Sequence, residues 1–414
     1  MQIIDGGVTA ALGFEAASAA AEIKYKNRTD MAMIYSSAPA ITAGTFTKNV
    51  VKAAPVLWDR AVVESGKTSQ VVIVNSGIAN ACTGEEGFEY CRKSAEAASA
   101  TFKSVKGIDI DADSVLVAST GVIGMQLPID RLSHGVEMLV PELEHSREAG
   151  NRAAKAIMTT DTVEKEVAVT VEIGGKTVTV GGMCKGSGMI HPDMCTMLSF
   201  VTTDANISKE LLAKALKENV KDTYNMISVD GDTSTNDTCI VMANGLAGND
   251  EIIAAGDDYN KFKEALNYVN TTLAKKMAGD GEGATALFEV VVNGADTKEH
   301  AVTLAKSVIT SSLTKAAIFG HDANWGRILC ALGYAGVDFD PVKVKLSFES
   351  AAGKILIAEN GTGVNFDEET ASKILSEPEV TAVVEMNMGG NESATAWGCD
   401  LTYDYVKINA DYRS

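Results

Sequence analysis

Glu166-Val-Ala-Val-Thr-Val-Glu-Ile173 and Lys176-Thr-Val-Thr-Val180 alternate apolar and polar residues on either side of Gly174-Gly175. That is the pattern of two antiparallel strands joined by a two-residue turn, where glycine supplies the positive φ angles the turn needs. The hairpin leads straight into Lys185-Gly-Ser-Gly-Met-Ile-His-Pro-Asp-Met-Cys-Thr-Met-Leu-Ser-Phe200, where a glycine-rich loop gives way to a strand-like run headed by threonine. A threonine so placed can become a new N-terminus. If the Cys195–Thr196 bond breaks by attack of the Thr196 hydroxyl, the released α-amine lies beside that hydroxyl and can serve as its general base.

The flanking segments predict a layered α/β fold. Val71-Val-Ile-Val-Asn75, Val115-Leu-Val-Ala-Ser119 and Thr238-Cys-Ile-Val-Met-Ala243 are short apolar runs of the buried-strand kind, and Met197 to Thr203 is strand-like. Helical composition covers Phe88 to Val105, Leu132 to Met158, Lys209 to Val220 behind a Ser208 cap, Tyr259 to Met277 and Ala301 to Thr314. After Leu287 the pattern restarts with Phe288 to Asn293, Val342 to Phe348, Lys354 to Ala358 and Glu379 to Met388 as strands. We therefore expect a catalytic α/β domain over 1–286, a smaller α+β domain over 287–400 and a polar tail, 401–414, whose last residues read as a frayed end.

With 414 residues, 46% of them hydrophobic, the chain is long enough to bury substantial cores in two or three domains of roughly 150 residues. A net charge of −19 opposes an extended phosphate backbone and supplies no polybasic face for acidic lipid, so neither nucleic acid nor membrane is expected as a partner. No apolar run has the length of a membrane span, and the first residues lack a basic stretch followed by a hydrophobic one; a cytoplasmic location is expected. The seven cysteines, at 82, 91, 184, 195, 239, 330 and 399, form no Cys-x-x-Cys pair, which suits a reducing compartment. Cys184, His191 and Cys195 match no usual zinc spacing, and no metal is expected.

Several segments can carry chemistry, and each has a plainer reading. Ala118-Ser-Thr-Gly-Val-Ile-Gly124 places small residues after a buried strand, where backbone N–H groups can meet a developing negative charge; it is otherwise an ordinary turn. Met158-Thr-Thr-Asp-Thr162 and Asp230-Gly-Asp-Thr-Ser-Thr-Asn-Asp-Thr238 gather hydroxyls and carboxylates able to hold a small zwitterion or a hard cation, or they are turns and caps. The second begins like a calcium loop but lacks the glycine and glutamate that such a loop needs. Glu282, in a glycine-rich turn, can meet an ammonium or move a proton, or simply face water. Gly182 to Gly188 lacks the Lys-Ser/Thr and following helix of a phosphate loop, and His191 with Cys195 is a weak thiolate-imidazole candidate.

Taken in order, Asn75-Ser-Gly-Ile-Ala-Asn-Ala-Cys-Thr-Gly84, Ser119-Thr-Gly-Val-Ile-Gly124, Met158-Thr-Thr-Asp-Thr162, Lys185-Gly-Ser-Gly-Met189, Thr196-Met-Leu198, Gly231-Asp-Thr-Ser-Thr-Asn-Asp237, Asn324-Trp-Gly-Arg327 and Asn409 to Ser414 resemble the ornithine acetyltransferase, or glutamate N-acetyltransferase, family of arginine biosynthesis. The resemblance spans essentially the whole chain. It implies an αββα-type sandwich of the self-processing N-terminal-nucleophile kind, cleavage between Cys195 and Thr196 into an α chain (1–195) and a β chain starting at 196, and an α2β2 heterotetramer. It further implies Thr196 as nucleophile and Thr120 with Gly121 as the oxyanion hole. Thr159, Lys185, Thr196, Glu282, Asn409 and Ser414 would be the substrate contacts, with the tail returning to the pocket.

The implied reaction carries acetyl from N-acetylornithine to glutamate by a ping-pong route through acetyl-threonine, without a bound cofactor and with acetyl-CoA as a candidate second donor. Two positions depart from the family pattern, Cys195 where alanine is common and Arg413 where a small hydroxyl residue is common. A self-processing amidase or aminopeptidase, with water as acyl acceptor, is the enzymatic alternative; an uncleaved amino-acid-binding protein is the other.

Overall fold

The computed structural model describes residues 1–191 and 197–410. It separates into two compact units, one formed by 1–186, 193–224 and 233–273, the other by 187–192, 225–232 and 274–414.

The first unit is a layered α/β sandwich organised around one long strand, Met31–Phe46. Its first part, Met31 to Tyr35, pairs antiparallel with Phe14–Ala19 on one side and with Ser69–Ile78 on the other, and Ser69–Ile78 pairs in parallel with Leu116–Val122. Between Tyr35 and Ala40 the register shifts. Beyond it, Ile41 to Phe46 pair antiparallel with Thr238–Ala243, which continues in parallel to Leu198–Thr203 and then through Lys176–Lys185 and Lys165–Ile173 to Gln2–Ile4. One strand thereby serves two sets of partners. Helices Ala54–Glu64, Gly84–Thr101, Ile129–Leu139, Arg147–Ala156 and Lys209–Asp222 pack against or beside these strands and close the core, in which Phe14, Met31, Met33 and Phe102 are fully buried.

The expected hairpin forms as Lys165–Ile173 and Lys176–Lys185, with φ of 56° at Gly174 and 73° at Gly175, the two left-handed positions of a type I′ turn. Ser208 caps its helix by accepting the Leu211 N–H. The single helix expected over Leu132 to Met158 is instead broken. Pro141 has no N–H to donate and sits in a short 3-10 turn, Val140–Glu142, after which Ser146 starts a fresh helix by accepting from Ala149. Ser311 breaks the 301–314 prediction in the same manner, capping Ser312–Phe319 after Lys298–Thr310 has ended.

The second unit holds a mixed sheet in the order Thr362–Gly363, Gly353–Glu359, Lys345–Ser350, Glu379–Glu385, Leu287–Ala295, Glu392–Cys399, Ile227–Ser228. Lys298–Thr310 packs on Leu287–Ala295 and Glu392–Cys399, and Glu368–Leu375 on Lys345–Ser350 and Gly353–Glu359. The division falls at 273/274, inside helix Asp257–Gly279, and not at the 286/287 step expected from sequence. The pairing of Ile227–Ser228 with Trp397 and Gly398 also draws 225–232 into this unit, a long-range contact that hydrophobic periodicity does not reveal. No described helix is long and apolar enough to cross a membrane.

Candidate active site

In the first unit the end of Lys176–Lys185 delivers a lysine into a buried polar nest. Lys185 Nζ donates to Thr159 Oγ1 at 2.8 Å and to Thr120 Oγ1 at 3.2 Å, and lies 3.9 Å from an Asp161 carboxylate oxygen. Asp161 organises the surrounding backbone. It accepts from the Thr159 N–H at 3.0 Å, the Gly186 N–H at 2.7 Å and the Lys165 ammonium at 2.7 Å. Arg28 braces the same loop by donating to the carbonyls of Met158 and Thr159. The side chains of Asp161 and Lys165 are wholly buried, and Lys185 is 8% exposed.

Burial alone would raise the Asp161 carboxyl, but the ammonium groups of Lys185 and Lys165, the Lys165 hydrogen bond and the Thr159 N–H outweigh it and hold the group well below the usual carboxylate range. A carboxyl depressed in the folded state stabilises the fold above its unfolded value of about 4 and loses that contribution as pH falls through the folded value. Acid unfolding of the native protein should therefore steepen below about pH 4, and Asp161→Asn should lack that component. At neutral pH the variant should be less stable by about 3–5 kcal/mol, since two buried ammonium groups lose their carboxylate. Urea titration at several pH values measures both effects.

Thr120 and Gly121 end the strand Leu116–Val122, whose outer edge is paired by side chains: Trp58 Nε1 donates to the Val115 carbonyl and Asp59 accepts the Val117 N–H. Gly121 has a φ of 131° and presses on the neighbouring strand so closely that an added Cβ would lie 2.2 Å from the Gly77 carbonyl carbon. No side chain fits there. Gly121→Ala should cost about 2–6 kcal/mol, the sum of backbone strain and overlap, whereas Gly124→Ala, at φ 80° with none of the described residues within 4 Å of the added Cβ, should show only the strain. Thermal melting of the two variants separates the contributions.

In the second unit Glu282 is buried in the turn between Asp257–Gly279 and Leu287–Ala295. Its carboxylate accepts from Asn409 Nδ2 at 2.7 Å, its N–H donates to the Ser187 carbonyl, and Gly188 lies against it so tightly that a Cβ there would meet the carboxylate at 2.5 Å. Asn409 ends helix Tyr403–Asn409, seated by the Thr402 hydroxyl on the Gly283 carbonyl. Of the frayed end expected over Asn409 to Ser414, Asn409 closes this helix, and 411–414 lie outside the described residues. Asp230 proves to be a backbone organiser, accepting from the N–H groups of Met189, Ile190 and Asp232. Burial raises its carboxyl above the usual range despite those donors.

The ArgJ family model matches residues 15–414. Arginine biosynthesis bifunctional protein ArgJ 1 of Clostridium acetobutylicum is 54% identical over 401 residues, covering 97% of this chain and 96% of its own. The chain belongs to the ArgJ family. It is an arginine-biosynthesis enzyme of the acetyltransferase group that its motifs resemble. The ArgJ bifunctional protein of Caldanaerobacter subterraneus subsp. tengcongensis is 50% identical over the full length of both chains. A solved ornithine acetyltransferase chain from Mycobacterium tuberculosis, complexed with ornithine, is 45% identical over 46% of this chain and 98% of its own, with a TM-score of 0.44.

Of the ArgJ site residues expected from sequence, Thr120, Thr159 and Lys185 meet in the first unit, with Gly121 next in the chain, and Glu282 meets Asn409 in the second. Cys195, Thr196, Arg413 and Ser414 lie outside the described residues. His191 Nδ1 lies 3.1 Å from the Ser228 hydroxyl. Cys91, Cys184, Cys239 and Cys399 are buried, while Cys82 and Cys330 are exposed. The sequence does not mark the Asp161–Lys165 pair: its four-residue spacing is the available signal, but in a segment without helical pattern that spacing has no fixed geometric meaning.

Proposed function

We propose that the enzyme moves the acetyl group of N-acetylornithine to glutamate by a ping-pong route through an ester on Thr196, after cutting its own backbone between Cys195 and Thr196. In the first half-reaction the Thr196 hydroxyl attacks the acetamide carbon and its proton passes to the new α-amine. The tetrahedral oxyanion is met by Thr120 and Gly121, and collapse expels ornithine, which takes the proton. In the second half-reaction the α-amine of glutamate attacks the ester, leaving N-acetylglutamate and a regenerated hydroxyl.

The observation that carries this reading is the buried ammonium of Lys185, which shares the Thr120 hydroxyl with the proposed oxyanion hole. N-acetylornithine, ornithine and glutamate all present an α-carboxylate, so one fixed cation can anchor donor and acceptor in the same orientation relative to the hole. Thr159 supports that cation. We assign Glu282, with Asn409 and Ser414, to substrate contact, the carboxylate of Glu282 suiting the ornithine side-chain ammonium.

No bound cofactor enters this scheme. Acetyl-CoA is proposed as a second donor to the same threonine, in keeping with the word bifunctional in the names of the relatives. The working form is proposed as an α2β2 heterotetramer of the cytoplasm. Purified enzyme should form N-acetylglutamate from N-acetylornithine plus glutamate, and from acetyl-CoA plus glutamate. Release of free acetate in place of acetyl transfer would reject the reading.

A further inference from the structure

We infer that Asn236 is a positioning residue for the acetyl-transfer centre, setting the peptide plane from which the oxyanion hole projects. Its side-chain amide is buried and donates twice, to the Ser119 carbonyl at 2.7 Å and to the Ala79 carbonyl at 2.6 Å. Both neighbours are acceptors only, so the NH2 end must face them, and the Thr235 hydroxyl, donating to Asn236 Oδ1 at 2.7 Å, fixes the other end.

The consequence is geometric. The Ser119 carbonyl and the Thr120 N–H belong to one planar peptide unit, so pinning that oxygen fixes the tilt of the plane, and with it the start of Thr120 and the step to Gly121. The Ala79 N–H donates in turn to the Val122 carbonyl, so Asn236 and the backbone together clamp the segment from 119 to 122. Ser119 is held on its other side by its hydroxyl, which donates to Asn75 Oδ1 at 2.6 Å.

Asn236 also belongs to the segment that carries the nucleophile's neighbour. Two residues on, the Thr238 N–H donates to the carbonyl of Met197, the residue that follows Thr196 in the chain, and Thr238–Ala243 then runs in register beside Leu198–Thr203. The Asn236 amide on Ser119 and the Thr238 N–H on Met197 together tie the strand that begins after the nucleophile to the strand that carries the hole. Displacing one against the other by about 1 Å is enough to cost about 100-fold in rate.

This inference rests on the acetyl-transfer reading, and the test separates the two. Wild-type, N236A and N236D enzymes are assayed with N-acetylornithine and glutamate, kcat being counted per chain cleaved before Thr196, with melting temperature measured alongside. Failure of the wild type to transfer acetyl rejects the reaction itself. If the wild type is active, N236A should lose about 10- to 100-fold in kcat with both KM values within about twofold, while its melting temperature falls by only a few degrees, about what two carbonyls deprived of one donor cost. N236D keeps the shape but turns an oxygen toward two carbonyls, and should fall below N236A. Wild-type kcat in either variant overturns the inference, as does a kcat loss that only tracks a collapse in melting temperature.

Discussion

Thr196→Ala is expected to run as one uncut polypeptide and to transfer no acetyl group from either donor. The loss should exceed about 10⁴-fold, because the variant lacks both the hydroxyl that cuts the backbone and the α-amine that the cut would release as its base. Thr196→Ser keeps a hydroxyl and should both cut and turn over. Denaturing electrophoresis and a product assay on the same preparation read the two outcomes together. An uncut alanine variant that still formed N-acetylglutamate would remove Thr196 from the chemistry altogether.

Lys185→Met should be the next most damaging change, and its kinetic signature is specific. The substrates share only the α-carboxylate and the backbone around it, so removing the cation should raise KM for N-acetylornithine and for glutamate by similar factors, on the order of 10- to 100-fold each. The side chains that distinguish the two substrates do not enter this term. The variant should also lose stability, since the buried Asp161 then keeps only the Lys165 ammonium as a charged partner among the contacts described above. Lys185→Arg should not restore activity, because a planar guanidinium cannot reproduce a point charge seated between the Thr120 and Thr159 hydroxyls. A large KM change confined to one substrate would contradict the shared-anchor role.

What could be read in advance was whatever is encoded locally. The Gly174-Gly175 turn, the Ser208 cap and the apolar runs at 71–75, 115–119 and 238–243 declare themselves through φ preference, side-chain hydrogen bonding or hydrophobic continuity, and each stands where expected. The helix breaks at Pro141 and Ser311 are equally local, but helical composition continues on both sides of each and masks them. The strand Met31–Phe46 was harder. It changes pairing partners midway, so its two ends obey different burial patterns and give no single period.

The site divides along the same line. Glycine-rich and hydroxyl-rich stretches marked Thr120, Gly121, Thr159, Lys185 and Glu282 as candidates, and the ordered resemblance raised them above ordinary turns. The contacts that give them meaning join residues far apart in the chain: Asp161 to the Gly186 N–H, Asn236 to the carbonyls of Ala79 and Ser119, Asn409 to Glu282. A buried amide or carboxylate of that kind looks in sequence like a surface turn residue. Only the fold shows which backbone groups it satisfies.

The central claim is that one hydroxyl, freed by self-cleavage, carries the acetyl group between two amines. Incubating active enzyme with N-acetylornithine in the absence of glutamate and measuring the masses of its chains tests it most directly. The account predicts a chain beginning at Thr196 that is heavier by one acetyl group, with the label on its N-terminal residue and released when glutamate is added. A fully active enzyme whose polypeptide is unbroken, or an acetyl label on any other residue that glutamate discharges, would contradict it.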